Sequence, residues 1–88
     1  MAELVLVAGR LFEVRAADVN ASAWDNALEA GALRLGFRQI GGFSAAWASR
    51  IVVGRPFASI EDLARRAELP ARALRLLADA DAFRSIGL

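Results

Sequence analysis

The chain is 88 residues long and 57% hydrophobic, with a mean hydropathy of +0.39 and a formal net charge of +1. At this length one small core is the limit, and the apolar content excludes intrinsic disorder, which combines low hydrophobicity with high charge. Cys, His, Lys and Tyr are all absent, which removes disulfides, thiolate and imidazole metal sites, and the usual general bases and covalent nucleophiles. The lack of Cys fits a reducing, cytoplasmic location. The run Leu4 to Ala8 is too short for a membrane span, and Glu3 stands where a signal peptide would be positive. Charge is unevenly spread. Residues 1–33 set two arginines against five carboxylates, net −3, whereas residues 34–88 set nine arginines against five, net +4. The basic half is where an anionic partner would bind.

In chain order, Leu4-Val5-Leu6-Val7-Ala8 gives no deciding period: its valines favour a strand, while Ala, Leu and Glu around it favour a helix. Phe12, Val14 and Ala16 alternate with Glu13, Arg15 and Ala17, which predicts a strand over 12–19. Asp18, Asn20 and Ser22 punctuate the chain and predict a turn over 20–25, with Trp24 covering one end of the core. Two further strands are expected over 26–29 and 32–38, joined as a hairpin through Ala30-Gly31. In the second of these, Leu33, Leu35 and Phe37 face inward while Arg34 and Arg38 face out.

Gly41-Gly42 then supplies a turn with access to positive φ, and Ser44 is a good N-cap. The period becomes helical: Ala45, Ala48 and Val52 lie beside Trp47 and Ile51 on one helix, ended by Gly54 and Pro56, with Arg55 extended before the proline. Ser59-Ile60-Glu61-Asp62 resembles a capping box opening a helix over 60–67, with Asp62 placed to pair with Arg66 and Glu61 with Arg65. Pro70 suits the first turn of a helix over 70–78, with Leu74, Leu77 and Ala78 inward and Arg72 and Arg75 outward. Residues 79–83 break that helix and 84–88 form a last short turn. A helix, tight turn and helix therefore occur twice, around Gly41-Gly42 and around Asp79 to Phe83.

Catalysis by this chain alone has no residues to perform it. Ser44 has no base and reads as a cap, and Asp79 with Asp81 reads as a solvated loop rather than a metal site. Binding remains. A glycine turn can leave the N–H groups of a helix start pointing outward, and with arginines at 34, 38, 50 and 55 nearby it could grip a phosphodiester backbone without reading bases. The pattern alone favours the plainer reading, a turn into a capped helix, and places Phe43 and Trp47 in the core rather than against bases.

The string Asp18-Val19-Asn20-Ala21-Ser22-Ala23-Trp24-Asp25, followed by Leu28-Glu29, by Ala32 to Ile40, by Arg55 to Ala67 and by Ala82 to Gly87, resembles the error-prone, DnaE-like translesion branch of the bacterial C-family DNA polymerases over residues 12–88. The resemblance implies an α+β, mainly α fold. Residues 1–38 would be an end-of-fingers segment with short strands, and residues 39–88 a tandem helix-hairpin-helix domain of four to five short helices. It implies that Ile40 to Ser44 is the first hairpin and Ala80 to Phe83 the second. The amides of Gly42, Phe43 and Ser44, beside Gly41, would meet duplex DNA phosphates, with Arg38, Arg50 and Arg55 as supporting charges. Some relatives of the motif hold a monovalent cation on hairpin carbonyls, and catalytic magnesium belongs to a palm region outside this chain. Ser44 and Asp81 stand where the motif usually has glycine, and Asp81 puts a negative charge where phosphate would approach.

Two functions follow as expectations. The first is a sequence-independent DNA-backbone module of an error-prone polymerase, acting in translesion synthesis and repair with the rest of a polymerase or accessory repair proteins as partners. The second is a structural or protein-interaction domain that keeps the fold without binding DNA. Exposed Val and Leu at the N-terminus are expected either to form a homodimer or to cover a surface that the rest of a polymerase would occupy.

Overall fold

The computed structural model describes residues 3–86: four short strands, then three α-helices, with single 3₁₀ turns before the first helix and after the last. The undecided N-terminal run is a strand, β1 (Glu3–Val7), paired antiparallel with β2 (Arg10–Arg15). Ala8 and Gly9 join them at φ 51° and 79°, and Ala30 and Gly31 repeat the device at 45° and 82° between β3 (Ala27–Glu29) and β4 (Ala32–Arg34). Positive φ at both central residues is the two-residue hairpin whose twist matches that of its strands. β4 lies parallel to β2, with Val14 opposite Leu33, so the sheet runs β1-β2-β4-β3.

Little of the core belongs to this sheet. Ala32 is its one buried strand residue, and Leu4, Leu6, Leu11 and Leu28 are each more than 60% exposed. The sheet is held instead by backbone pairing and by Glu29, which accepts from Arg34 at 2.7 Å and from Arg15 at 3.2 Å. The hydrogen bond from Arg34, with Arg15 adding to it, holds the Glu29 carboxyl below its usual value despite partial desolvation.

Two strands are shorter than their alternation predicts. The strand expected over 12–19 ends at Arg15, because residues 17–19 turn away and sink into the core. The strand expected over 32–38 ends at Arg34, because only Leu35 still donates to β2, to Arg15 at 2.9 Å, and the backbone donors after it go to the 23–26 loop. Gly36 donates to the Asn26 side chain at 2.8 Å, Phe37 to Ala23 at 2.9 Å and Arg38 to Trp24 at 3.0 Å. A Cβ on residue 36 would lie 2.3 Å from the Trp24 carbonyl oxygen, so only glycine lets the two segments approach this closely. Phe37–Gln39 then coils into a 3₁₀ turn, which buries Phe37 completely and moves Arg38 off the strand face.

The helices follow their sequence signals. α1 (Ala45–Gly54) starts at Ser44, whose hydroxyl accepts from Trp47 at 3.0 Å, and α2 (Ile60–Arg66) starts at Ser59, whose hydroxyl accepts from Asp62 at 3.0 Å. Each cap is worth about 1 kcal/mol. α3 (Ala71–Asp79) begins after Pro70. Among the described residues there are three α-helices, not four to five. The outer pieces remain single 3₁₀ turns, Phe37–Gln39 cut short by Gly41-Gly42, and Arg84–Ile86 held out of a longer ladder because Ser85 donates its amide to Asp18. The core joins Ala17 and Val19 to Phe37, Phe43, Ala48, Ile51, Phe57, Leu63, Ala73, Leu77 and Phe83. On α3 the inward residues are Ala73 and Leu77, whereas Ala78, expected inward, is exposed.

Candidate nucleic-acid interface

The first hairpin is built from backbone. Ile40 is extended, Gly42 takes φ 81°, and the Phe43 amide closes the turn onto the Ile40 carbonyl at 3.1 Å. The Phe43 ring lies buried, 5.6 Å from Phe37 in a stacked pair and 5.2 Å edge-on from Trp47. This anchors the turn from beneath. The Phe43 amide, one of the expected donors, is hydrogen-bonded inside the turn. Serine in place of the second glycine costs nothing here, because Ser44 is extended and its hydroxyl caps α1. Among the described residues, the amides of Gly42, Ser44, Ala45 and Ala46 have no acceptor. The first turn of α1 contains no acidic residue, so its partial positive end has no carboxylate of its own helix beside it.

The expected arginines do not all gather at this turn. Arg34 holds Glu29 and the Ala16 carbonyl. Arg50 caps the end of α2, donating to Ala67 at 2.8 Å and to Glu68 at 3.3 Å. Arg55 donates to the Ser22 carbonyl from the far end of α1, about 15 Å along the helix from the turn. Arg50 and Arg55 therefore each tie segments of the fold together through backbone carbonyls. Arg38 is different. It leads directly into the turn, its side chain is 58% exposed, and it pairs with Asp25 at 2.7 Å while lying over the Trp24 ring.

The second hairpin has the same outline and a different occupancy. Asp81 takes φ 56°, the left-handed position held by Gly42 in the first, and forms an ion pair with Arg84. Val19 donates to the Ala82 carbonyl at 3.0 Å, and the Asp18 carboxylate accepts from the Ser85 amide at 3.1 Å and the Asn20 amide at 2.9 Å. Asn20 in turn clasps the Phe57 backbone, accepting from its N–H at 2.7 Å and donating to its carbonyl at 3.1 Å. Ser22 accepts from the Asp18 amide and donates to the Leu35 carbonyl. The Asp-x-Asn-x-Ser string is thus a knot tying the N-terminal loop to the second hairpin. Its anion occupies an amide at the helix start where an external phosphate would approach.

The family described as helix-hairpin-helix motif matches residues 12–88. The chain belongs to the helix-hairpin-helix family. It is 51% identical over 78 residues to a protein named error-prone DNA polymerase from Brucella abortus biovar 1 (strain 9-941), an alignment covering 81% of this chain and 7% of that protein. It is 50% identical over 80 residues to error-prone DNA polymerase 2 of Agrobacterium fabrum, with 81% of this chain and 7% of the relative covered. With the error-prone DNA polymerase of Rhodopseudomonas palustris (strain HaA2) the identity is 47%, covering 86% of this chain and 9% of the relative. The chain thus spans less than a tenth of the length of these relatives. No solved structure matches it.

One residue beside the helix-hairpin-helix turn escaped the sequence. A Cβ built on Gly42 would lie 2.8 Å from an Nη2 atom of Arg72 and 3.8 Å from a Leu76 methyl, so α3 backs onto the first hairpin and lays a guanidinium over its glycine. The helical pattern places Arg72 on an outward face, and only the return of α3 across the molecule brings it there. Asp79 and Leu76 of the same helix line an apolar groove on the Ile40-Gly41 side of the turn. Among the described residues, no helix is long and apolar enough to cross a membrane.

Proposed function

We propose that this chain binds the phosphodiester backbone of duplex DNA without reading its sequence. It does so as the helix-hairpin-helix module of an error-prone DNA polymerase, and positions the duplex during translesion synthesis in the cytoplasm. The observation that carries this reading is the contrast between the two hairpins. The first leaves the amides of Gly42, Ser44, Ala45 and Ala46 unspent beside a ten-residue helix with no acid in its first turn, and the second already gives its Ser85 amide to Asp18. Phosphate oxygens suit such donors, because the partial charge of the helix start and the N–H directions act together. Arg38 supplies an exposed positive charge at the entry to the turn. The chain itself does no chemistry. The relatives, named error-prone DNA polymerases and more than ten times as long as the part they share with this chain, support reading it as a module of a much larger polymerase, which would supply the catalytic carboxylates and their magnesium.

Titration of a labelled duplex at several salt concentrations tests the proposal. Two or three phosphate contacts predict a slope of log affinity against log salt of about −2 to −3, the same for unrelated sequences of equal length. A slope near zero would favour the second reading, a protein-interaction domain, for which the exposed Leu4, Leu6 and Leu11 of the N-terminal hairpin are the observation.

A further inference from the structure

We propose that Arg72 is the cationic half of the first hairpin's phosphate site, so that the site is assembled from two elements distant in sequence, the turn before α1 and the outer face of α3. This inference rests on the DNA-backbone reading above and adds to it a residue that neither the turn nor its flanking sequence contains.

Three observations converge on Arg72. The first is position: its guanidinium lies over Gly42, where a Cβ would come within 2.8 Å of Nη2. Glycine at this position suits the backbone, which takes φ 81°. The second is availability. Among the described residues, Arg72, its helical neighbour Arg75 and, on β2, Arg10 have neither an ion pair nor a hydrogen bond, and Arg72 is the one of them that lies over Gly42, whereas Arg15, Arg34, Arg38, Arg65, Arg66 and Arg84 pair with carboxylates, and Arg50 and Arg55 hold carbonyls. The third is electrostatic. A guanidinium that lies over Gly42, whose amide is unspent, adds positive charge to positive partial charge, an arrangement that an anion held between them would turn from repulsive to attractive. The helix beneath is well fixed, with Ala73 and Leu77 fully buried, so Arg72 is presented from a rigid base. A planar guanidinium matches two phosphate oxygens at once, which a point charge does not. Arg75, three residues on, extends the same face toward a neighbouring phosphate.

The test uses the full 88-residue chain and a labelled duplex of arbitrary sequence. Arg72→Gln is expected to weaken binding about tenfold and to reduce the magnitude of the salt slope by about one, since one phosphate contact is lost. Arg65→Gln removes another exposed charge, one that pairs with Asp62 on α2, and is expected to change affinity less than about twofold. Arg72→Lys keeps the charge without the planar fork; it is expected to retain the slope while losing part of the affinity. Unchanged binding and slope in Arg72→Gln, with salt-dependent binding intact in the wild type, would overturn this proposal and leave the backbone reading standing. Absence of salt-dependent binding in the wild type would overturn both. A second readout is the Arg72 Nε–H resonance of the wild type, which is expected to shift with added duplex together with Ser44, Ala45 and Ala46; a resonance that stays put while those amides move would also overturn the assignment.

Discussion

At the scale of single residues, left-handed backbone positions decide much of the shape. Gly42 at φ 81° turns the chain into α1, and Gly42→Ala is expected to cost about 1–2 kcal/mol in urea unfolding, because an L side chain at that φ is strained and would displace Arg72. Ala30 occupies the first central position of a two-residue hairpin at φ 45°, where asparagine is far better suited. Ala30→Asn should therefore raise stability by about 0.5–1 kcal/mol, visible as a higher melting temperature. Asn20 is the opposite case. Its amide clasps both polar groups of the Phe57 backbone, and Asn20→Ala would strip partners from a part-buried peptide group; a loss of about 2 kcal/mol is expected in the same unfolding assay.

At the scale of elements, the sheet and the helices are held differently. The sheet has no core behind β1, and its charged clasp is Glu29 between Arg15 and Arg34. Because the folded carboxyl titrates below its usual 4.5, its stabilising contribution is complete above that value and disappears as pH falls through the lowered folded value. Acid titration monitored at strand amides should show loosening in that window, and Glu29→Gln should remove this part of the pH dependence. The helices were legible because their ends carry strong local signals: Ser44 and Ser59 as caps, Gly54 and Pro56 as a stop, Pro70 as a start. β1 was not legible, since a mixed apolar run of five residues fits either period and only its pairing with β2 decides. The overextended strand before the turn has a similar cause. Phe37 continues the alternation of Leu33 and Leu35, yet it is buried by a 3₁₀ turn whose backbone bonds lie in the 23–26 loop, a contact no local pattern encodes. Of the candidate site, the glycine turn and the Ser44 cap could be read from sequence. The engagement of Arg50 and Arg55 elsewhere, and the approach of Arg72, depend on tertiary packing.

At the scale of the whole molecule, two hairpins of similar outline have been put to different uses. The second is drawn inward by Asp18, Val19 and Asn20 and serves to lock the N-terminal loop onto the helices. The first faces outward with unspent amides, an arginine at its entry and another over its glycine. Asp79 lies along the groove on the far side of that turn, and Asp79→Asn is expected to strengthen duplex binding about twofold by removing a repulsive charge, as read by anisotropy at low salt. The most direct test of this division is an amide chemical-shift titration with a short duplex at low and at moderate salt. Salt-sensitive shifts at Gly42, Ser44, Ala45 and Ala46, with the amides of Asp81 to Ser85 unmoved, are the expected result. Shifts at the second hairpin, or none at the first, would contradict the assignment of DNA contact to the first hairpin.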